Sequence, residues 1–162
     1  MGNGETLCLG NGETLRLGNG EWGTGNGCWG MGNGLFDLMF TKKEGGMALD
    51  YRELEVWQMS MELCEQVYGL VRQFPSDERY ALGDQLRRAA VSIPSNIAEG
   101  NGRDSKSDYA RFLSIARGSL FEVQTQLELA ERLNYVTVSE ELKGSITRIS
   151  KMLYSIIHKL RT

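Results

Sequence analysis

The chain has 162 residues, and 18 lysines and arginines against 21 acids leave a net charge of −3, which excludes a polycation that holds nucleic acid by bulk charge; such binding would have to rest on a local patch. No run approaches the ~18 consecutive apolar residues of a membrane span, and the first residues lack the basic and apolar blocks of a signal peptide, so a cytoplasmic chain without membrane contact is expected. Cys8, Cys28 and Cys64 show no metal-ligand spacing, and an odd cysteine count suits a reducing compartment better than a disulfide framework.

Residues 1–46 are a tandem repeat. The units GNGETLCL, GNGETLRL, GNGEWGT, GNGCWGM and GNGLFDL begin at Gly2, Gly10, Gly18, Gly25 and Gly32, and the segment holds 14 of the 20 glycines. Asn-Gly is a turn signal, so Glu5–Leu9 and Glu13–Leu17 are candidates for a small hairpin, and the units for a short solenoid. Against this, so much glycine buries little surface while ordering it costs backbone entropy, and disorder is the expectation for 1–46. Met47 stands where the composition changes, which makes translated upstream DNA a further reading of the repeats, with Met47 as the start. Residues 47–162 then form the folded domain.

From Asp50 onward helical periodicity is continuous. A first helix is predicted over Tyr51–Phe74, with Asp50 as N-cap, Glu53 completing a capping box, and Pro75-Ser76-Asp77 as the stop. A second runs from about Glu78 to Glu99. Its face Leu82, Leu86, Ala89, Ala90, Ile93 and Ile97 keeps phase through Pro94. Either the helix is kinked at Pro94, with Ser92 and Ser95 bonding the freed carbonyls, or it stops at Ile93 and a new one starts at Pro94; the unbroken phase favours the kink. Gly100-Asn101-Gly102 is expected to supply a left-handed cap. A third helix opens at Ser105, or at Asp104 beside it, and reaches about Asn134, with Gly118 expected to mark a close helix contact. Ser139 caps a fourth, whose inward face is Leu142, Ile146, Ile149, Leu153, Ile156 and Leu160. Four long helices with short turns predict an all-α fold: an antiparallel up-down-up-down four-helix bundle with a Pro-kinked second helix, preceded by the glycine-rich segment.

DQLRRAAVSIPSNIAEGNGR, at 84–103, resembles the hallmark of the four-helix bundle proteins related to the 23S rRNA intervening-sequence protein. YRELEVWQMSMEL at 51–63, RFLSIARGSLFEVQTQLELAERLNY at 111–135 and SKMLYSIIHKL at 150–160 resemble the same family in the same order, so the resemblance covers about Leu49–Thr162. It implies a ring-like homo-oligomer, commonly a pentamer. A related group is similar to the accessory subunit of diversity-generating retroelements, which assists a reverse transcriptase. That group is basic, whereas residues 47–162 carry fifteen bases and sixteen acids.

Chemistry-bearing patterns are sparse. His158 is preceded at the Glu-x-x-His spacing by Ser155, the GNG repeats lack the lysine of a phosphate loop, and no serine or cysteine has a base at a recognisable spacing. No catalytic, cofactor or metal residue is therefore assigned, and a non-enzymatic protein is expected. Three sets remain. Apolar residues beside or outside the main stripes, Trp57, Met61, Tyr68, Phe112, Ile115, Met152, Tyr154 and Ile157, signify either a wider core or an oligomer interface. Pro94, Ser92, Ser95, Asn96 and Glu99, with Gln85 and Arg88, are candidates for a polar register set that pairs within the bundle or with a neighbouring subunit. Arg87, Arg88, Arg103, Lys106, Arg111 and Arg117 cluster in sequence around the second turn as a candidate phosphate-binding patch, with acids interspersed. The reading is an oligomeric scaffold for a protein or ribonucleoprotein partner; the alternative is direct RNA binding, or service as a reverse-transcriptase accessory subunit, through that basic patch.

Overall fold

The computed structural model describes residues 50–162 throughout, together with the backbone of β1 (Thr6–Cys8) and β2 (Thr14–Arg16). The chain divides into two units, Met1–Leu49 and Asp50–Thr162. In the first, β1 and β2 pair antiparallel, with Thr6 opposite Arg16, Leu7 opposite Leu15 and Cys8 opposite Thr14. This is the hairpin alternative that the Asn-Gly spacing allows. The disorder and upstream-translation expectations for the rest of 1–46, Met47 included, lie outside the described residues.

The second unit is all-α. Asp50 does cap, but it caps a single 3-10 turn, Tyr51–Glu53, by accepting from the Arg52 amide at 3.0 Å. Leu54 is then extended (φ −74°, ψ 119°), so α1 begins only at Glu55 and runs to Val71, without a side-chain cap. Phe74 lies past the helix and is buried against Tyr135, ring centroids 5.9 Å apart. Turns occupy the start predicted for the second helix, since the Pro75 carbonyl accepts from the Glu78 and Arg79 amides, and α2 spans Leu82–Asn101. It passes through Pro94 uninterrupted, which excludes the two-helix alternative. The carbonyl that Pro94 strips of its amide partner belongs to Ala90, and it accepts from Cys64 Sγ on α1 at 3.1 Å. The serines serve elsewhere: Ser95 Oγ donates to the Val91 carbonyl at 2.8 Å, and Ser92 Oγ shares a 2.8 Å hydrogen bond with Ser119.

The expected left-handed cap after α2 is not formed, because Gly102 is right-handed helical (φ −79°, ψ −3°). The glycine that matters there is Gly100, buried where α2 meets α3. A Cβ on it would stand 2.8 Å from both Phe112 Cβ and Tyr109 Cδ2. Gly118, by contrast, has nothing within 4 Å, so no helix is in close contact with it. α3 spans Lys106–Arg132 and is capped by Ser105 Oγ accepting from the Asp108 amide. Its C-terminus closes at Asn134, whose φ of 58° lets Tyr135 N donate to the Ala130 carbonyl and Asn134 N to the Glu131 carbonyl, both at 2.9 Å. α4 spans Glu140–Arg161, capped by Ser139 Oγ accepting from the Leu142 amide.

α1 packs on α2 and α4, α3 packs on α2 and α4, and the backbones of the diagonal pairs stay apart. Cross-helix contacts run in reverse order along consecutive helices: Gly83 faces Val71 while Ala90 faces Cys64, and Gly100 faces Tyr109 while Ser92 faces Ser119. The helices therefore form an antiparallel up-down-up-down bundle. Val67, Leu86, Ile93, Ile97, Leu113, Leu120, Ile149 and Leu153 fill its sealed interior. On α4 the inward face includes Met152 and Ile157, while Ile156 is only half-buried. Met152 and Ile157 thus belong to the wider core and leave the set of interface candidates.

Candidate interaction surfaces

Titratable side chains among the described residues do not converge on a reactive centre. Among the described residues no group of three or more His, Cys, Asp or Glu is placed to hold a metal ion. Burial pushes the Cys64 thiol up to about 11, with the Glu65 charge adding to the effect, so it stays protonated and inert. Burial likewise pushes the Tyr109 phenol up to about 12. His158 is exposed and stacks parallel to Tyr154, ring centroids 6.2 Å apart. Glu99, Glu122 and Glu128 do not gather: Glu99 pairs with Arg103, Glu128 with Arg132, and Glu122 accepts from Gln85 and Gln126. An open pocket of about 370 Å³ is lined by Gln73, Glu131, Asn134, Tyr135, Val136 and Thr137. Its one carboxylate is engaged: Glu131 accepts from the Val138 amide at 2.9 Å and pairs with Lys143, and these donors, the amide first, hold its pKa below the ordinary value. Its titratable neighbours are Lys143, tied to it as an ion pair, and Tyr135, whose phenol is held above its ordinary value by burial and by the nearby Glu78 and Asp77 charges.

The bases that neighbour one another in sequence part company in space. Arg87 turns toward α1, pairing with Asp84 at 2.7 Å and lying 5.7 Å from the Tyr68 ring centroid. Arg88 reaches Gln85 Oε1 at 3.4 Å. Arg103 pairs with Glu99 and covers the Phe112 ring at 4.6 Å. Lys106 and Arg111 are exposed on the first turns of α3. Arg117 points the other way, toward α4, over the rings of Phe121 and Tyr154. Three flanks of the bundle share what the sequence groups as one patch.

Of the polar register residues, Ser92, Asn96 and Gln85 line the α2–α3 seam, while Ser95 is exposed and bonds back to its own helix. Asn96 Nδ2 donates to the Ser92 carbonyl at 2.7 Å and to Ser92 Oγ at 3.0 Å, and Ser92 bonds Ser119. Further along, Gln85 Nε2 reaches Glu122 Oε1 at 3.3 Å. Glu99 is not joined to Asn96; its partner is Arg103, one turn on.

Of the apolar candidates, Trp57 is half-buried edge-on to Tyr51, and Phe112 is half-buried under Arg103. Met61, Tyr68, Ile115 and Tyr154 are exposed by 38%, 42%, 43% and 57%. The structure adds five that the sequence reading missed, Tyr80, Val91, Phe121, Leu129 and Leu133, of which Val91 and Phe121 are exposed by 43% and 45%. Helical phase alone could have found Phe121, four residues after Arg117 on the same flank.

The family model for the 23S rRNA-intervening sequence protein matches residues 52–155, the whole bundle but for its ends. A crystal structure of a protein of unknown function from the S23 ribosomal protein family of Bacteroides thetaiotaomicron is similar at 30% identity and a TM-score of 0.58, over 63% of this chain and 97% of that one. No curated protein matches. No described helix is long and apolar enough to cross a membrane. On the match across its four helices, the chain belongs to the 23S rRNA-intervening sequence protein family.

Proposed function

We propose that this chain is a non-enzymatic, self-associating scaffold that acts in the cytoplasm by presenting helix surfaces to a protein or ribonucleoprotein partner. One observation carries the reading: the bundle closes its own core, yet large apolar side chains stay outside it. Met61, Tyr68, Val91, Ile115, Phe121 and Tyr154 are each more than a third exposed, and such surplus on a closed domain is characteristic of contact sites. The buried, reduced Cys64 fits the cytoplasmic assignment. The pentameric ring implied by the resemblance is the expected form. The RNA-binding alternative has less support, because Arg87 and Arg103 are already paired with Asp84 and Glu99, and the six bases do not share a face. Sedimentation velocity of the full chain tests the proposal: a species several times the 18.1 kDa chain mass at micromolar concentration supports it, and a monomer overturns it.

A further inference from the structure

Two unsatisfied sets of side chains stand on opposite sides of the bundle. On the α3–α4 side the Arg117 guanidinium lies 5.2 Å from the ring centroids of both Phe121 and Tyr154. Its Nε is buried without an acceptor, and Arg117 forms no ion pair among the described residues. Holding a guanidinium half out of water with no counter-charge is unfavourable unless a binding partner supplies one. Nothing nearby in the sequence does so: α3 has no acid between Asp108 and Glu122, and α4 has none after Glu141, whereas Arg111, Lys151, Lys159 and Arg161 fall in those stretches.

On the α1–α2 side, Met61, Glu65 and Tyr68 recur at steps of four and three along α1, and Val91 is exposed on α2 one turn after the Arg87 that lies against Tyr68. No base occurs in the sequence between Arg52 and Arg72, and neither Glu62 nor Glu65 forms an ion pair among the described residues. The two sets stand at one height. Cys64, inside the α1 stripe, bonds the Ala90 carbonyl, and Ser92, two residues along α2, bonds Ser119, between Arg117 and Phe121 on α3.

We infer that the α3–α4 face of one copy docks on the α1–α2 face of the next, with Arg117 meeting the Glu62 and Glu65 carboxylates while Phe121 and Tyr154 cover Met61 and Tyr68. The inference rests on the self-association proposed above and names its contact. The first face is cationic and aromatic, and the second carries Glu62 and Glu65 beside Met61 and Tyr68, with the Arg87 that lies against Tyr68 already paired to Asp84, so the contact is heterologous, and a succession of copies closes into a ring where the rotation from copy to copy completes a turn. A nucleic acid would satisfy Arg117 but leave the α1 stripe without a role, and it would approach a chain of net charge −3.

Sedimentation of the full chain and its charge variants decides the matter. R117E and E65R are each expected to lower the association constant by about a hundredfold or more, and the combined E65R/R117E to restore it, because the exchanged charges meet again at every contact. R117Q, milder toward folding, is expected to weaken association as well, with an unchanged far-UV circular dichroism spectrum. An oligomer indifferent to all four variants overturns this inference and leaves self-association standing. A wild-type monomer overturns both. A monomer that sediments faster only on adding single-stranded RNA, and loses that shift in R117E, overturns the inference and gives the face to nucleic acid.

Discussion

Gly100 and Gly118 are both helical, and the space around them gives them opposite meanings. At Gly100 the obstacle to a side chain is Phe112 Cβ, an atom fixed to the α3 backbone, so a methyl there has to push the two helices apart. G100A is expected to destabilise the fold by about 1–3 kcal/mol. Gly118 sits in an exposed helix interior with nothing within 4 Å, where glycine only adds backbone entropy to the unfolded chain, and G118A is expected to stabilise by about 0.5–1 kcal/mol. Urea denaturation of the two variants beside the wild type checks both signs. Sequence spacing does not separate them, since whether a helical glycine faces a neighbour depends on packing distances that only the assembled bundle defines.

The helices themselves were legible wherever a cap stood directly against an unbroken apolar stripe. Ser105 and Ser139 mark the starts of α3 and α4 as the sequence predicts. Asp50 misleads because a capping side chain serves a 3-10 turn as readily as an α-helix, and the extended Leu54 that follows has no sequence signature. Pro94 was legible as a helix-interior proline, but its compensation was not, because the partner, Cys64, is 26 residues away in sequence and on another helix. That link makes α1 and α2 energetically coupled. C64A leaves the buried Ala90 carbonyl without a donor and is expected to cost about 1–3 kcal/mol. In a P94A background the restored amide takes the carbonyl, so the same C64A change is expected to cost less, with a coupling of about 1 kcal/mol in a double-mutant cycle read by thermal or urea unfolding.

At the scale of the whole molecule, the bundle was readable from the stripes because core burial obeys helical period, whereas its surfaces were not, because bases close in sequence across a turn belong to different flanks. Arg87, Arg103 and Arg117 face three ways. The acid-free stretch of α4 after Glu141 was available to a count of charges, but only the packing of α4 on α3 shows that it adjoins Arg117. An assembly held by such charges answers to ionic strength. Screening tightens from about 10 Å at 0.1 M salt to about 3 Å at 1 M, so the oligomer is expected to dissociate more readily as salt rises, at least tenfold across that range; equilibrium sedimentation at several salt concentrations measures it, and strengthening with salt would indicate a contact made by apolar groups alone. The two unlike faces have a genetic corollary. A copy whose acidic side is spoiled still offers a sound basic side, so it caps its neighbour's vacant socket and cannot pass the chain onward; a minority of such copies, made alongside the normal ones, poisons assembly far out of proportion to its numbers.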